Sequence, residues 1–394
     1  MPKTIAITPS WYWPAGIARI TGVPPFSIYE LCVSRGDRDR PQETAIVAGN
    51  VRMSAAELRG EVDRIAAALT ARAGAEGRAV LVGDTTFDTV VLLLGALAAG
   101  LHLRIVARGT DLAATAREFG ASLILDGPGA VEPAEGTVAP PATNGKGPKL
   151  NVPAVTINGA YGPVSHSHRS LLAGALSFVT FLDARAERPW LATMPLWRWE
   201  GLVSVIIPLY LGATLVLPPE GADADTVVGT ITREGVGFAF ADLDEAATWT
   251  RDAKKNVKDA RRILEAFLLS TQGMFDPDER RRVSRAFECP ALTVWGMPET
   301  GAVFASHGSW YLDESIGIPI SNVHVVPADP RTGTPIQALW ELVESAEVTV
   351  RATSLMCGYE GAEHPERFVD GRFRTGMIAS SDANGMIYLL GAQG

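Results

Sequence analysis

The segment Trp295-Gly296-Met297-Pro298-Glu299-Thr300-Gly301 follows residues 291–294, a short apolar run with the length and composition of a buried strand. Ligands of open α/β sheets bind at the carboxyl ends of the strands, so a site is expected here. An aromatic face can stack on a ring, a glycine lets the backbone approach a ligand, and an isolated glutamate can hold a divalent cation. The alternative is an ordinary loop with a tryptophan in the core.

On the amino-terminal side of this segment, apolar runs of strand length alternate with helical patterns. Ser54 and Glu57 form a capping box before a helix, and Asp276 before Pro277 predicts another helix start. Strands are predicted at 79–82, 101–106, 122–125, 154–157, 191–194 and 214–217, and helices at 86–99, 112–119, 169–181, 201–211, 223–233, 243–252, 260–267 and 276–287. This alternation is typical of α/β folds with parallel, doubly wound sheets.

Two other stretches complete the predicted organisation. Residues 127–153 are rich in proline, glycine, alanine and threonine and indicate a linker, while short alternating runs at 323–326, 338–343, 348–352, 372–374 and 386–390 indicate a small β subdomain. We therefore expect a first α/β subdomain in residues 1–150, a second in 151–305, and the β subdomain in 306–394.

The composition of the 394-residue chain limits the function classes. It is 47% hydrophobic with a net charge of −9, so it can bury a large core and lacks the basic stripe of a nucleic-acid partner. Cys32, Cys289 and Cys357 have no metal-ligand spacing and indicate a reducing compartment. The most apolar run, residues 90–101, is too short to cross a bilayer, and the amino terminus has no signal-peptide pattern. We expect a cytoplasmic protein without a nucleic-acid or membrane partner.

Several short motifs occur in the order typical of one family. Residues 53–58 and 94–100 match a helix start and a helix end, and later matches fall at 194–202, 208–216, 295–299, 315–317, 357–359 and 374–377. Together they resemble the large amino-terminal domain of the adenylate-forming acyl-CoA and aryl-CoA synthetases, which include luciferases and nonribosomal-peptide adenylation domains. The resemblance runs from residue 26 to residue 391 and implies that fold.

The resemblance implies positions for a nucleotide. Trp295 and Gly296 stand where the adenine ring would lie, and Glu299 matches the metal-binding glutamate. The glycine-rich segment beside adenine corresponds to Thr271, Gln272 and Gly273.

The same resemblance places an acyl or aryl pocket at Trp197, Arg198, Trp199, Glu200 and Gly201. Arg198 replaces a gating histidine, and its cation suits a carboxylate or phosphate unless it packs over the neighbouring tryptophans at the surface. Candidate catalytic groups are Arg198, Glu299 and His168.

His166 and His168 lie in the Ser-His-Ser-His run of residues 165–168, which matches the family's helix-capping Thr-His or Ser-His. Helix capping is therefore the simpler role. A metal pair is the alternative, although no third ligand stands at a recognisable spacing.

The chain departs from the family pattern where ATP would bind. Residues 156–164, in the position of the phosphate loop, lack its lysine and most of its hydroxyls; Pro298 replaces a threonine, Met377 the ribose-binding aspartate, and Ala392 an arginine. Methionine is a poor acceptor for ribose hydroxyls. The family's small carboxy-terminal domain is expected to be missing, either naturally or by truncation.

Three functions follow from these features. The first is a degenerate family member that binds an acyl or aryl carboxylate, or scaffolds a protein partner or second copy, without efficient adenylation and without a cofactor. The second is a working ligase or acyltransferase that uses ATP or AMP with magnesium and CoA, and takes its lid in trans or a pre-activated substrate. The third is unrelated chemistry in the old pocket at Arg198, Glu200 and His166 or His168.

Overall fold

The computed structural model describes residues 12–73, 77–127, 149–185, 187–271, 273–336 and 344–392. The predicted strand at 338–343, most of the predicted linker and Gln272 lie outside these residues.

The strands of the described residues are numbered in chain order. They are β1 Thr44–Ala48, β2 Val51–Ser54, β3 Arg78–Val82, β4 His102–Val106, β5 Leu123–Leu125, β6 Pro153–Asn158, β7 Pro163–Ser167, β8 Trp190–Ala192, β9 Leu215–Leu217, β10 Phe238–Asp242, β11 Ala266–Thr271, β12 Ala291–Met297, β13 Gly301–Ala305, β14 Ile318–Pro319, β15 Val323–Ala328, β16 Ala346–Ala352, β17 Gly358–Tyr359, β18 Phe368–Val369, β19 Arg372–Ser381 and β20 Ile387–Ala392.

The α-helices are numbered in the same way. They are α1 Arg35–Asp39, α2 Ala55–Ala73, α3 Phe87–Ala98, α4 Leu112–Phe119, α5 His168–Leu182, α6 Trp199–Leu211, α7 Ala224–Glu234, α8 Leu243–Asp252, α9 Lys254–Asp259 and α10 Pro277–Phe287. A π-helical turn, Glu30–Ser34, precedes α1, and a 3₁₀ turn, Pro365–Arg367, precedes β18.

Three sheets hold these strands. The first has the order β17-β7-β6-β4-β3-β5, the second β14-β13-β12-β11-β10-β8-β9-β1-β2, and the third β15-β16-β19-β18 with β20 on β19. Neighbours from β1 through β9, β8, β10 and β11 to β12 run parallel, as do β6, β4, β3 and β5, while antiparallel strands complete the edges. This confirms the predicted α/β class with a small β subdomain.

Local sequence signals account for the helix starts. The side chains of Ser54 and Glu57 exchange hydrogen bonds with each other's backbone amides at 3.3 and 2.8 Å, which is the predicted capping box. Asp276 caps α10, with Pro277 in its first turn. Both predicted caps are confirmed.

One predicted helix is wrong. Residues 260–267 were expected to be helical, but α9 ends at Asp259 and β11 begins at Ala266, with Arg262 at a positive φ of 61° between them. Ala260, Ile263, Leu264 and Phe267 stand at the spacing of a helix face, but the chain turns at Arg262 and places Phe267 in β11, which is buried on both faces. Periodicity cannot separate such a strand from a buried helix segment.

The sheets do not follow the expected subdomain boundaries. Strands β6 and β7, beyond residue 150, complete the first sheet with β3, β4 and β5, whereas β1 and β2 belong to the second. The two-residue strand β17 joins the first sheet from beyond residue 305. None of the helices described is both long and apolar enough to cross a bilayer.

A buried arginine fastens the segment after β13 to α10. Arg280 is fully buried, and its guanidinium donates to the carbonyls of Ala291, Leu312, Asp313 and Ser315 at 2.7 to 3.1 Å. It makes no ion pair among the described residues, and burial lowers its pKa to about 10. Carbonyl dipoles thus replace a carboxylate as the counter-charge.

We expect Arg280→Met to lower the free energy of unfolding by about 2–4 kcal/mol, because it leaves several buried carbonyls without a donor. Urea denaturation would measure the loss. Arg285→Met removes an exposed arginine from the same helix and should change stability by less than about 0.5 kcal/mol. Equal effects of the two variants would contradict the assigned role.

Candidate functional site

Glu299 follows β12 and is fully buried. Its Oε1 accepts hydrogen bonds from the Ala160 amide at 2.8 Å and from the Tyr359 hydroxyl at 3.4 Å, while its Oε2 has no hydrogen-bond partner among the described residues. Burial raises the pKa of Glu299, and hydrogen bonds from backbone amides and Tyr359 offset only part of that shift. The site therefore stabilises the neutral form of this carboxyl group relative to a carboxyl group in water.

The Ala160 amide belongs to the tight turn between β6 and β7. The turn is closed by a 2.9 Å hydrogen bond from the Gly159 amide to the Gly162 carbonyl. A Cβ at Gly159 would lie 2.7 Å from Glu299 Oε1 and 2.2 Å from a methyl of Val164, so this position requires glycine. The turn is thus packed directly on the glutamate.

Neighbouring backbone groups fix the position of Glu299. The Met356 amide donates to the Glu299 carbonyl at 2.9 Å, and the Ser354 hydroxyl donates to the Thr300 carbonyl at 2.7 Å. His166 Nε2 lies 2.6 Å from the Pro298 carbonyl, which requires the proton on that nitrogen. Residues 298–300 are therefore held from three directions.

The predicted adenine platform lies inside the protein. The Trp295 indole is 2% exposed and packs against Phe304 with ring centroids 5.5 Å apart. It therefore occupies the core, as the alternative in the sequence analysis has it, and leaves no open face for a ring to stack on. A Cβ at Gly296 would lie 2.1 Å from the Gly301 carbonyl oxygen, so the glycine serves the close approach of β12 and β13. Thr271 is buried, its hydroxyl is unpartnered among the described residues, and Gly273 lies beside open space.

Arg198 is held by two carboxylates. Its guanidinium lies 2.8 Å from Glu200 and 3.2 Å from Asp242, and Ser270 donates to the same Glu200 oxygen at 2.7 Å. These carboxylates compensate the positive charge of Arg198, which the sequence analysis assigned to ligand binding. Asp242 and Ser270 were missed as partners because they lie at the carboxyl ends of β10 and β11, as the last and the penultimate residue, far along the chain from Arg198.

The other residues of the predicted acyl pocket are packed. Trp199 and Glu200 are buried, and Trp197 is half-buried against the core. A Cβ at Gly201 would lie 2.1 Å from the Pro195 carbonyl oxygen, so this glycine allows the first turn of α6 to approach the preceding loop.

The two histidines have structural contacts. Ser167 is the N-cap of α5 and forms a capping box with Ser170, which also lies 3.2 Å from His166 Nδ1. His168 Nδ1 accepts from the Ile28 amide at 3.4 Å. Burial lowers the pKa of both histidines to about 4. Among the described residues, no hydrogen bond or ion pair joins either histidine to Arg198 or Glu200, so the structure pairs the arginine with the glutamate of the third hypothesis but gives the histidines other partners.

Comparison with known proteins identifies the family. A family profile described as AMP-binding enzyme matches residues 163–360, just over half of the chain. The chain belongs to the AMP-binding enzyme family. This membership confirms the resemblance given by the motif order.

Individual relatives of the AMP-binding family are more distant. The chain is 25% identical over 223 residues to 2-succinylbenzoate–CoA ligase of Bacillus licheniformis, which covers 55% of this chain and 44% of that protein. The match therefore spans less than half of that curated relative.

Solved structures of the family share the fold. O-succinylbenzoate coenzyme A synthetase of Bacillus subtilis, in complex with ATP and magnesium ion, has a TM-score of 0.79 at 16% identity, covering 92% of this chain and 79% of its own. A putative long-chain-fatty-acid CoA ligase of Rhodopseudomonas palustris has a TM-score of 0.79 at 17% identity, covering 93% and 99%. At these identities the likeness establishes the fold.

The carboxyl group of Glu299 is the group that the resemblance offers to a magnesium–nucleotide complex. Its Oε2 lacks a partner among the described residues, while the carboxyl group is fully buried and the facing Ala160 amide already donates to Oε1. Across the described residues, no group of three or more histidine, cysteine, aspartate or glutamate side chains is arranged to hold a metal. Glu299 thus closes the turn between β6 and β7.

Substitution of Glu299 tests the effect of burial on its carboxyl group. A raised folded-state pKa means that the carboxyl favours folding at low pH and loses this contribution as the pH rises through that pKa. We expect Glu299→Gln to be at least as stable as the wild type at pH 8, with a smaller difference at pH 5. Glu299→Ala should lose about 1–3 kcal/mol, because the Ala160 amide loses its acceptor. Urea denaturation at both pH values would measure these differences. Equal destabilisation by the Gln and Ala variants at pH 8 would contradict the prediction.

Buried histidines should weaken the fold in acid. Burial lowers the pKa of His102, His166 and His168 to about 4, whereas unfolded histidine titrates near about 6.5. Their stabilising contribution is complete above that unfolded value and is lost as the pH falls toward 4. Between pH 7 and 5 the free energy of unfolding should fall by on the order of 1–2 kcal/mol per histidine in urea denaturation.

The histidine contribution is separable from that of other groups. His166→Gln should make the stability less dependent on pH over this range. An unchanged pH dependence in this variant would argue against the assignment.

Proposed function

We propose that the protein binds a small acyl or aryl carboxylate-type ligand within the AMP-binding fold and does not adenylate it efficiently. The observation that carries this proposal is the 2.8 Å hydrogen bond from the Ala160 amide to the buried Glu299 carboxyl group. In the family this loop presents its amides to phosphates. Here an internal acidic group takes one of them.

Other residues support the same conclusion. Met377 stands in the position of the ribose-binding aspartate, Pro298 offers neither a hydroxyl nor an amide hydrogen, and the loop has no lysine. Each lost transition-state contact of this kind commonly costs about 3 kcal/mol, or roughly a hundredfold in rate. The losses need not add, but together they predict little adenylation.

A second candidate is a working acyl-CoA or aryl-CoA ligase, for which the unpartnered Glu299 Oε2 is the favouring observation. It would use ATP with magnesium and CoA, and a lid in trans or a pre-activated substrate. This function requires the turn at Ala160 to release Glu299 when nucleotide binds. Both functions are compatible with any small acyl or aryl ligand, and with a protein partner or a homodimer.

Calorimetric titration of ATP with magnesium, and then of AMP, distinguishes the two functions. We expect no binding heat at millimolar nucleotide and no pyrophosphate release in the presence of acyl acids and CoA. Micromolar ATP binding, or formation of a CoA thioester, would put the ligase first.

The same titration with pyrophosphate and Glu299→Ala tests the closed turn. This variant frees the Ala160 amide, so it should bind pyrophosphate more tightly than the wild type. A circular-dichroism melt establishes that the variant is folded at the titration temperature. Equal or weaker binding by the folded variant would show that Glu299 does not block the loop.

A further inference from the structure

Arg367 stacks on the turn that Glu299 closes. Its Cζ lies 3.5 Å from the centroid of the Tyr161 ring, and Tyr161 lies in the turn between β6 and β7. The residue is half-buried, and its Nε is below the surface without a hydrogen-bond partner among the described residues. A cation from the carboxy-terminal part of the chain thus stands over a loop that has lost its lysine.

The charge of Arg367 is uncompensated, unlike that of its neighbours. Arg374 pairs with Glu347 at 2.7 Å and Arg372 with Asp370 at 3.1 Å. In the part of the chain that the structure describes, Arg367 forms no ion pair. Oε1 of the adjacent Glu366 lies 3.0 Å from His364 Nδ1 instead. A partly desolvated guanidinium with free donors is a strong receptor for an oxyanion.

The aromatic face beneath Arg367 is fixed in place. The Tyr161 hydroxyl donates to the Thr375 carbonyl at 3.2 Å. Gly376 has a φ of +71°, and a Cβ there would lie 2.6 Å from the Tyr161 hydroxyl and 3.6 Å from an Arg367 terminal nitrogen. The glycine therefore allows the tyrosine and arginine to approach this strand, and both groups are oriented before any ligand arrives.

The surroundings of this pair are apolar. Tyr161 packs against a small cluster formed by Val164, Met356 and Phe373, with Met297 and Tyr359 at its border. A cation at the edge of such a cluster suits an anion carried on an apolar or aromatic body, because one part pairs with the charge and the other covers hydrophobic surface.

We propose that Arg367 and Tyr161 form a binding site for an oxyanion on an apolar body, and that its occupant is the carboxylate of an acyl or aryl acid. This inference rests on the proposed function and names the residues that receive the ligand. The guanidinium pairs with the carboxylate, and the body lies along the exposed part of the tyrosine and the half-buried Met297 and Tyr359 at the border of the cluster.

Calorimetric titration of benzoate and octanoate tests the site. Arg367→Met should weaken binding of the acid by about tenfold or more, the usual effect of losing a hydrogen bond to a charged group. Arg331→Met removes the same charge from an exposed turn and should leave affinity unchanged. Melting temperatures of both variants distinguish loss of binding from loss of folding. Unchanged affinity in folded Arg367→Met would overturn the proposal.

Variants of the platform separate charge from stacking. Tyr161→Phe keeps the ring and should retain most of the affinity, whereas Tyr161→Leu removes the platform and should lose it. Equal affinity of the Phe and Leu variants would overturn the assigned role of the ring.

AMP and inorganic phosphate serve as the other oxyanion sources. Arg367-dependent binding of AMP or phosphate but not of the acids would overturn the carboxylate assignment. ATP turnover by the wild type would contradict the proposed function, but it would not affect the conclusion that Arg367 binds the carboxylate. Acid binding that is independent of Arg367 would be compatible with the proposed function and would rule out this site.

Discussion

The buried contact between the Ala160 amide and Glu299 ties the architecture together. Glu299 follows β12 of the second sheet, Ala160 lies in the hairpin of the first, and the Met356 amide that holds the Glu299 carbonyl comes from the segment leading to β17. A carboxyl group is costly to bury unless it is hydrogen-bonded. The surrounding backbone must therefore keep its position, and the three chain segments are fixed relative to one another.

Much of the fold followed from local signals, because caps and periodicity act over a few residues. Ser54 with Glu57, and Asp276 with Pro277, marked their helix starts correctly. The failure at residues 260–267 arose because the apolar residues there have helical spacing, while the chain turns at Arg262 and enters a fully buried strand at Ala266. Membership of the AMP-binding family was also predictable, because several short motifs occur in the family's order along the chain.

The site was less predictable, because its contacts join residues far apart in sequence. Ala160 and Glu299 are 139 residues apart, and Arg198 meets Asp242 and Ser270 across 44 and 72 residues. The sequence placed Glu299 just after a strand, where β12 ends at Met297, but did not indicate which groups would oppose Glu299 or Arg198. Charge compensation depends on those opposing groups, so a cation that appears available in the sequence is paired in the fold.

The sheet order has a consequence for folding during synthesis. β1 pairs with β9, so residues 44–48 must wait for residues 215–217 before they gain a neighbour on that side. β7 has an open edge until Gly358–Tyr359 is made. An unpaired strand edge invites association with other chains, and distant pairing slows folding. The nascent chain therefore presents an unpaired strand edge until these distant partners are made, and it is open to association with other chains during that interval.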